Sequence, residues 1–127
     1  MITSVHSLIY SDAPEATRAF LRDVLEWPCV EHPESGPGWL IFKTGPSELG
    51  VHPTSGTYDG GTYSYPRHHE IALMCDDLSA TVAELEGKGA ELGGIEDMGF
   101  GLGAMLELPG AGEILLYQPS HPTAFEL

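Results

Sequence analysis

The segment that decides the fold is Glu70-Ile71-Ala72-Leu73-Met74-Cys75-Asp76-Asp77-Leu78, which runs on through Ser79 to Gly87-Lys88-Gly89. Its first six residues form a short run, mostly apolar, whose side chains alternate between two faces, and this predicts a strand. Ile71, Leu73 and Cys75 make an aliphatic face suited to packing under a helix, so Glu70, Ala72 and Met74 face the opposite side. Asp76 or Asp77 then caps a helix over residues 78–86, with Leu78, Val82 and Leu85 on one face. Gly87 and Gly89 supply the stop. Three short strands follow, over residues 90–95, 103–108 and 113–118, with a tight turn at Pro109-Gly110-Ala111-Gly112. The order is βαβββ.

The same order occurs upstream. A strand-like run over 4–11 leads to Asp12, which can cap a helix with Pro14 in its first turn and Glu15 three residues on. Ala16, Phe20, Leu21, Val24 and Leu25 give the apolar stripe, and strands are predicted over 29–32, 38–43 and 48–52. An offset of 64 sets Ser11-Asp12 beside Cys75-Asp76 and Ala16-Thr17 beside Ala80-Thr81. An offset of 65 sets Gly38 on Gly103, Gly45 on Gly110 and Glu48 on Glu113. One inserted residue reconciles the two. The chain therefore divides into a first module over 1–53, a Gly-, Ser- and Tyr-rich connecting loop over 54–68, and a second module over 69–127 that includes a C-terminal tail. The fold class is α+β, a single domain of two βαβββ modules whose open faces join around one concavity while each helix covers an outer face. By the 64-residue offset, His6, Leu8 and Tyr10 share that concavity with Glu70, Ala72 and Met74.

A length of 127 residues fits one domain, and 42% apolar with 19% charged residues supports a packed core. Acidic residues outnumber basic ones 19 to 5, for a net charge of -14. The five basic residues, Arg18, Arg22, Lys43, Arg67 and Lys88, form no run. Such a chain repels phosphate backbones and anionic lipid, which excludes nucleic acid and membrane as partners. No apolar stretch nears the roughly 20 residues of a membrane span. The first residues lack the basic and apolar regions of a signal peptide, and Cys29 and Cys75 make neither a disulfide framework nor a Cys-x-x-Cys pair. The expected compartment is the cytoplasm. Solubility is the commonest consequence of acidity, and a cationic ligand a less common one.

The residues now on the page resemble the vicinal oxygen chelate superfamily, the glyoxalase, bleomycin-resistance and extradiol dioxygenase-like proteins. The resemblance spans nearly the whole chain. It is carried by residues 70–78, by Gly112-Glu113-Ile114-Leu115-Leu116-Tyr117-Gln118, and by Glu48-Leu49-Gly50-Val51-His52-Pro53, which is similar to the end of a first module. These segments mark the fold rather than the reaction. The resemblance implies a homodimer and, in many members, a divalent metal held by a His or Glu of each first strand and a carboxylate of each last strand. Counting back seven from Asp77 reaches Glu70 rather than His69, and the same count from Ala13 reaches His6. The expected last-strand carboxylates fall on Leu115 and Gly50, which offer no ligand. Glu113 and Glu48 lie two residues earlier on the same face, about 6.6 Å along the strand. Either these strands sit in a shifted register or the site is degenerate.

Two functions follow. In one, His6, Glu48, Glu70 and Glu113 hold a divalent ion (Zn, Fe, Mn or Ni) with an open position that polarises a carbonyl or enediolate oxygen. The protein is then a metal-dependent lyase or dioxygenase-like enzyme, with Glu113 and His52 as catalytic groups. The plainer alternatives are exposed strand-start glutamates, a satisfied strand histidine at His6, and a rim position for His52. In the other, the concavity binds a small molecule without metal, as bleomycin-resistance proteins do. Tyr10, Trp39, Phe42, Met74 and Tyr117 supply its walls, and Tyr58, Tyr63 and Tyr65 form a lid or are ordinary loop residues. Glutamates in the cavity would then neutralise a cationic ligand stacked on Trp39.

Overall fold

A computed structural model describes residues 4, 6–31 and 38–127. Helix α1 is Pro14–Asp23 and helix α2 is Leu78–Gly87. The strands are β1 (Cys29–Glu31), β2 (Leu40–Phe42), β3 (Ser55–Tyr58), β4 (Gly61–Ser64), β5 (Ala72–Met74), β6 (Glu96–Asp97), β7 (Gly101–Leu108) and β8 (Gly112–Pro119). Among the described residues no helix is long and apolar enough to cross a membrane.

The second half forms the expected βαβββ unit. Its sheet has the order β5-β8-β7-β6, with β5 parallel to β8 and the other pairs antiparallel. Asp77 caps α2 by accepting from the Ala80 N–H at 3.0 Å, and the last turn closes as a Schellman motif. There Ala90 N–H bonds the Leu85 carbonyl and Gly89 N–H the Glu86 carbonyl, with Gly89 at φ 89°. Ala90 and Leu85, joined by that motif, are both buried. The strand expected over 90–95 is broken by Gly93-Gly94. Only Leu92 bridges Leu106 before β6 resumes the ladder.

Burial alternates along β7, so Ala104, Leu106 and Leu108 face the helices together with Ile114 and Leu116 of β8. Phe20 and Leu21 of α1 join this same cluster with Leu78 and Leu85 of α2. Both helices thus pack on the second sheet. Thr17 makes the joint, its hydroxyl donating to the Pro109 carbonyl and sharing a hydrogen bond with Ser11 Oγ. Asp12 does not cap α1; Ala13 holds the cap position without a side-chain bond, and the Asp12 N–H goes to the Gly110 carbonyl at 2.8 Å. Gly110 has φ 80°, and a Cβ there would meet Ala13 Cβ at 2.7 Å.

The first half differs from expectation for the same reason. β1 and β2 pair as a two-stranded ribbon, but the described residues of 4–11 and 48–52 form no strand. Tyr10, Leu49 and Val51 are 89%, 78% and 93% exposed. A sheet needs a covering layer, and α1 has gone to the other one. Residues 32–37, which include the end of the strand expected over 29–32, lie outside the described residues. Within the stretch expected as a connecting loop, β3 and β4 pair as a hairpin. Its two-residue turn, Asp59-Gly60, has both φ values positive (51° and 78°), as a type I′ turn requires.

Two substitutions test this packing. Leu106 has no exposed surface, so Leu106→Ala is expected to cost about 2–5 kcal/mol in urea unfolding. A Cβ on Gly101 would lie 2.3 Å from the Gln118 carbonyl oxygen, which is backbone and cannot rotate away. Gly101→Ala is expected to destabilise by about 1–3 kcal/mol, whereas an unchanged midpoint would show that β7 and β8 are not held at this spacing.

Candidate functional site

Because the helices cover one side of the second sheet, the other side is open. Alternation and register place Ala72 and Met74 of β5, Leu115 and Tyr117 of β8, and Gly103 and Met105 of β7 on that open side. Ile71, Leu73 and Cys75 pack against the helix side, as their aliphatic face predicts. Burial pushes the Cys75 thiol up. Over Gly103, Leu115 Cδ1 and Met98 Cε close in to 2.9 and 3.0 Å of where a Cβ would stand, so this part of the open face is apolar.

Tyr117 is the polar centre of the face. Phe100 meets its ring edge-on with centroids 5.2 Å apart, and its hydroxyl lies 3.0 Å from His121 Nε2. The Pro122 carbonyl sits 2.7 Å from His121 Nδ1 and takes the ring proton, which leaves Nε2 to accept from Tyr117. Glu48 closes the group. Its carboxylate is only 18% exposed, with Oε1 3.8 Å from His121 Nε2 and Oε2 accepting the Ala124 N–H at 2.6 Å. Ser120 N–H on the Phe100 carbonyl fixes the start of the tail that carries His121. The hairpin tip approaches the same corner, where Tyr58 OH donates to the Met98 carbonyl at 3.4 Å. Burial, and then the Glu48 charge, push the Tyr117 phenol above its ordinary value.

The other residues singled out by sequence lie elsewhere. His6 is exposed in coil. Glu70 is exposed beside His68, at 3.4 Å. The Pro66 carbonyl, and then Glu70, hold that imidazole above its ordinary value. Glu113 is exposed at the start of β8, directly across from Glu107. His52 bonds the Pro53 carbonyl and lies against Tyr63 of β4, which is followed by Tyr65 just past the strand's end. Trp39 sits under the Arg18 guanidinium of α1, 4.8 Å from the ring centroid. Among the described residues no three His, Cys, Asp or Glu side chains gather as ion ligands. As His6, Glu48, Glu70 and Glu113 stand, they do not fit a divalent ion, which needs three or more donors within about 2.0–2.6 Å. His121 and Phe100 are the contributors that sequence reasoning misses. The available signal is Ser120-His121-Pro122 directly after the last strand, where a histidine between turn-forming residues is held close to that strand's end.

No protein-family model and no curated protein matches the sequence. Solved structures do match. The chain is similar to TnmS3, an antibiotic binding protein from Streptomyces sp. CB03234, at 21% identity and TM-score 0.56, covering 94% of this chain and 99% of that one. It is also similar to a lactoylglutathione lyase from Agrobacterium tumefaciens at 16% identity and TM-score 0.60, covering 91% and 92%. The likeness shows the fold: an α+β glyoxalase/bleomycin-resistance fold, found in an antibiotic binding protein and in a lyase.

Tyr117 offers a direct check. Its raised pKa means that the folded chain keeps the phenol proton after the unfolded chain has lost it, so stability falls as pH rises past the ordinary tyrosine value near ~10. Ultraviolet titration should show a late-ionising component that disappears in Tyr117→Phe and shifts to lower pH in Glu48→Gln. A titration curve indifferent to Glu48→Gln would separate the two groups.

Proposed function

We propose that the chain binds a small, largely apolar organic molecule that carries a cationic group, on the open face of its second sheet and without a metal. The observation that carries this reading is the Tyr117–His121–Glu48 group set beside Phe100, Met74 and Leu115. Apolar walls provide the binding area, and a few convergent polar groups orient the ligand. With its proton directed to His121, the Tyr117 oxygen keeps lone pairs for a donor on the ligand. Glu48 supplies the negative charge nearby. A net charge of -14 adds long-range attraction for a cation. Antibiotic binding by a protein of this fold is consistent with such a role.

The metal-dependent lyase or dioxygenase reading needs His6, Glu48, Glu70 and Glu113 at one centre. Titration calorimetry separates the two functions. A cationic aromatic compound should bind more tightly than its neutral isostere, and more so at low salt. Glu48→Gln should weaken the cation about 5–10-fold, near 1–1.4 kcal/mol. Zn, Mn, Ni and Fe(II) salts should leave the melting temperature unchanged. Stoichiometric metal that raises it, or equal binding of cation and isostere at every salt concentration, refutes the proposal.

A further inference from the structure

A cavity of about 320 Å³ opens where β5 and β8 end side by side, lined by Met74, Cys75, Asp76, Gln118, Pro119 and Phe125. Its origin is topological. Parallel neighbours end at the same edge and their continuations diverge. After the Cys75 N–H bonds the Tyr117 carbonyl, β5 turns into α2, where Gln118 Oε1 accepts the Leu78 N–H at 3.0 Å. β8 continues as the tail. Five lining residues come from these strand ends. The sixth, Phe125, is delivered by the tail.

Among the described residues the tail is attached through a few specific bonds. Ser120 N–H bonds the Phe100 carbonyl, His121 takes the Tyr117 hydroxyl, and Leu127 N–H closes a turn onto the Ala124 carbonyl. Glu48 reaches over from the first half of the chain to hold the Ala124 N–H, one residue before Phe125. Its neighbours Leu49 and Val51 stand exposed, so the loop presenting this carboxylate is not part of the core. Segments with few buried contacts open at low cost and independently of the sheet.

Building on the function proposed above, we infer that the ligand reaches from the open face past Met74 into this cavity, that it is a small molecule with an apolar body and an ammonium group, and that the tail is the strap that closes over it. Met74, Pro119 and Phe125 form apolar walls, Asp76 supplies the counter-charge and Gln118 a polar edge. Phe125 is the removable wall, and Glu48 is the latch. The volume is at the lower end of the roughly 300–1,000 Å³ of small-molecule sites, which suits a ligand with a single ring.

The test uses the full chain with 2-phenylethylamine and its neutral counterpart 2-phenylethanol, followed by calorimetry and amide hydrogen exchange. The amine should slow exchange across residues 121–127 of the unaltered protein by about tenfold, and Glu48→Gln should speed it to a similar extent with β7 and β8 unchanged. Phe125→Ala should weaken the amine at least about fivefold, and Asp76→Asn should reduce its advantage over the alcohol about fivefold, leaving the share that Glu48 supplies. If the amine binds, is weakened by Glu48→Gln and Tyr117→Phe, yet ignores Phe125→Ala and Asp76→Asn, the strap and its seat are overturned while open-face binding stands. If neither compound binds nor alters exchange in the unaltered protein, both proposals fail.

Discussion

Strand β8 is paired along both edges, parallel to β5 and antiparallel to β7. That double pairing is the constraint on which everything else hangs. It satisfies the backbone of the one strand carrying Leu115, Tyr117 and Gln118, and it sets which side chains face the helices and which the open side. Ile114 and Leu116 anchor the strand in the core, and Tyr117 between Leu116 and Gln118 is thereby committed to the open face. A slip of one residue would exchange the two sets, burying Tyr117 under the helices and exposing Leu116.

The second decisive fact is the allegiance of α1. Phe20 and Leu21 bury against the second sheet, and Thr17 ties the helix to the β7–β8 turn. Lys88 adds a further tie, with its ammonium 3.3 Å from the Val24 carbonyl and 3.3 Å from Glu26. With its helix engaged there, the described residues of the first module keep only the β1–β2 ribbon as sheet. The loop of Glu48 is left free to reach the tail of the second half.

That reach sets the chemistry. A half-buried carboxylate is costly unless it is hydrogen-bonded, and Glu48 is bonded to the Ala124 N–H with His121 close by. Burial, and after it this same charge, holds the proton on Tyr117. The corner is consequently rich in acceptors and negative charge, beside an apolar sheet face. These properties favour a donor-bearing ligand over an anion.

Local sequence settled most of the second module: the alternation of 70–75, a cap at Asp76 or Asp77, the Gly89 stop and the turn at 109–112 all act over a few residues, and the structure reproduces them with Asp77 as the cap, while the strand over 90–95 does not form as expected. The Asp59-Gly60 turn is equally local, but reading 54–68 by its Gly-, Ser- and Tyr-rich composition as a connecting loop misses the hairpin it makes. The partner of α1, the Asp12 N–H bond to Gly110, the absence of strands over the described residues of 4–11 and 48–52, and the meeting of Glu48 with His121 depended on contacts between residues far apart in the chain. Short-range preference carries no information about which of two sheets a helix will cover. That choice is made by the burial of Phe20 and Leu21 and the pairing of Thr17, and only the tertiary structure decides it.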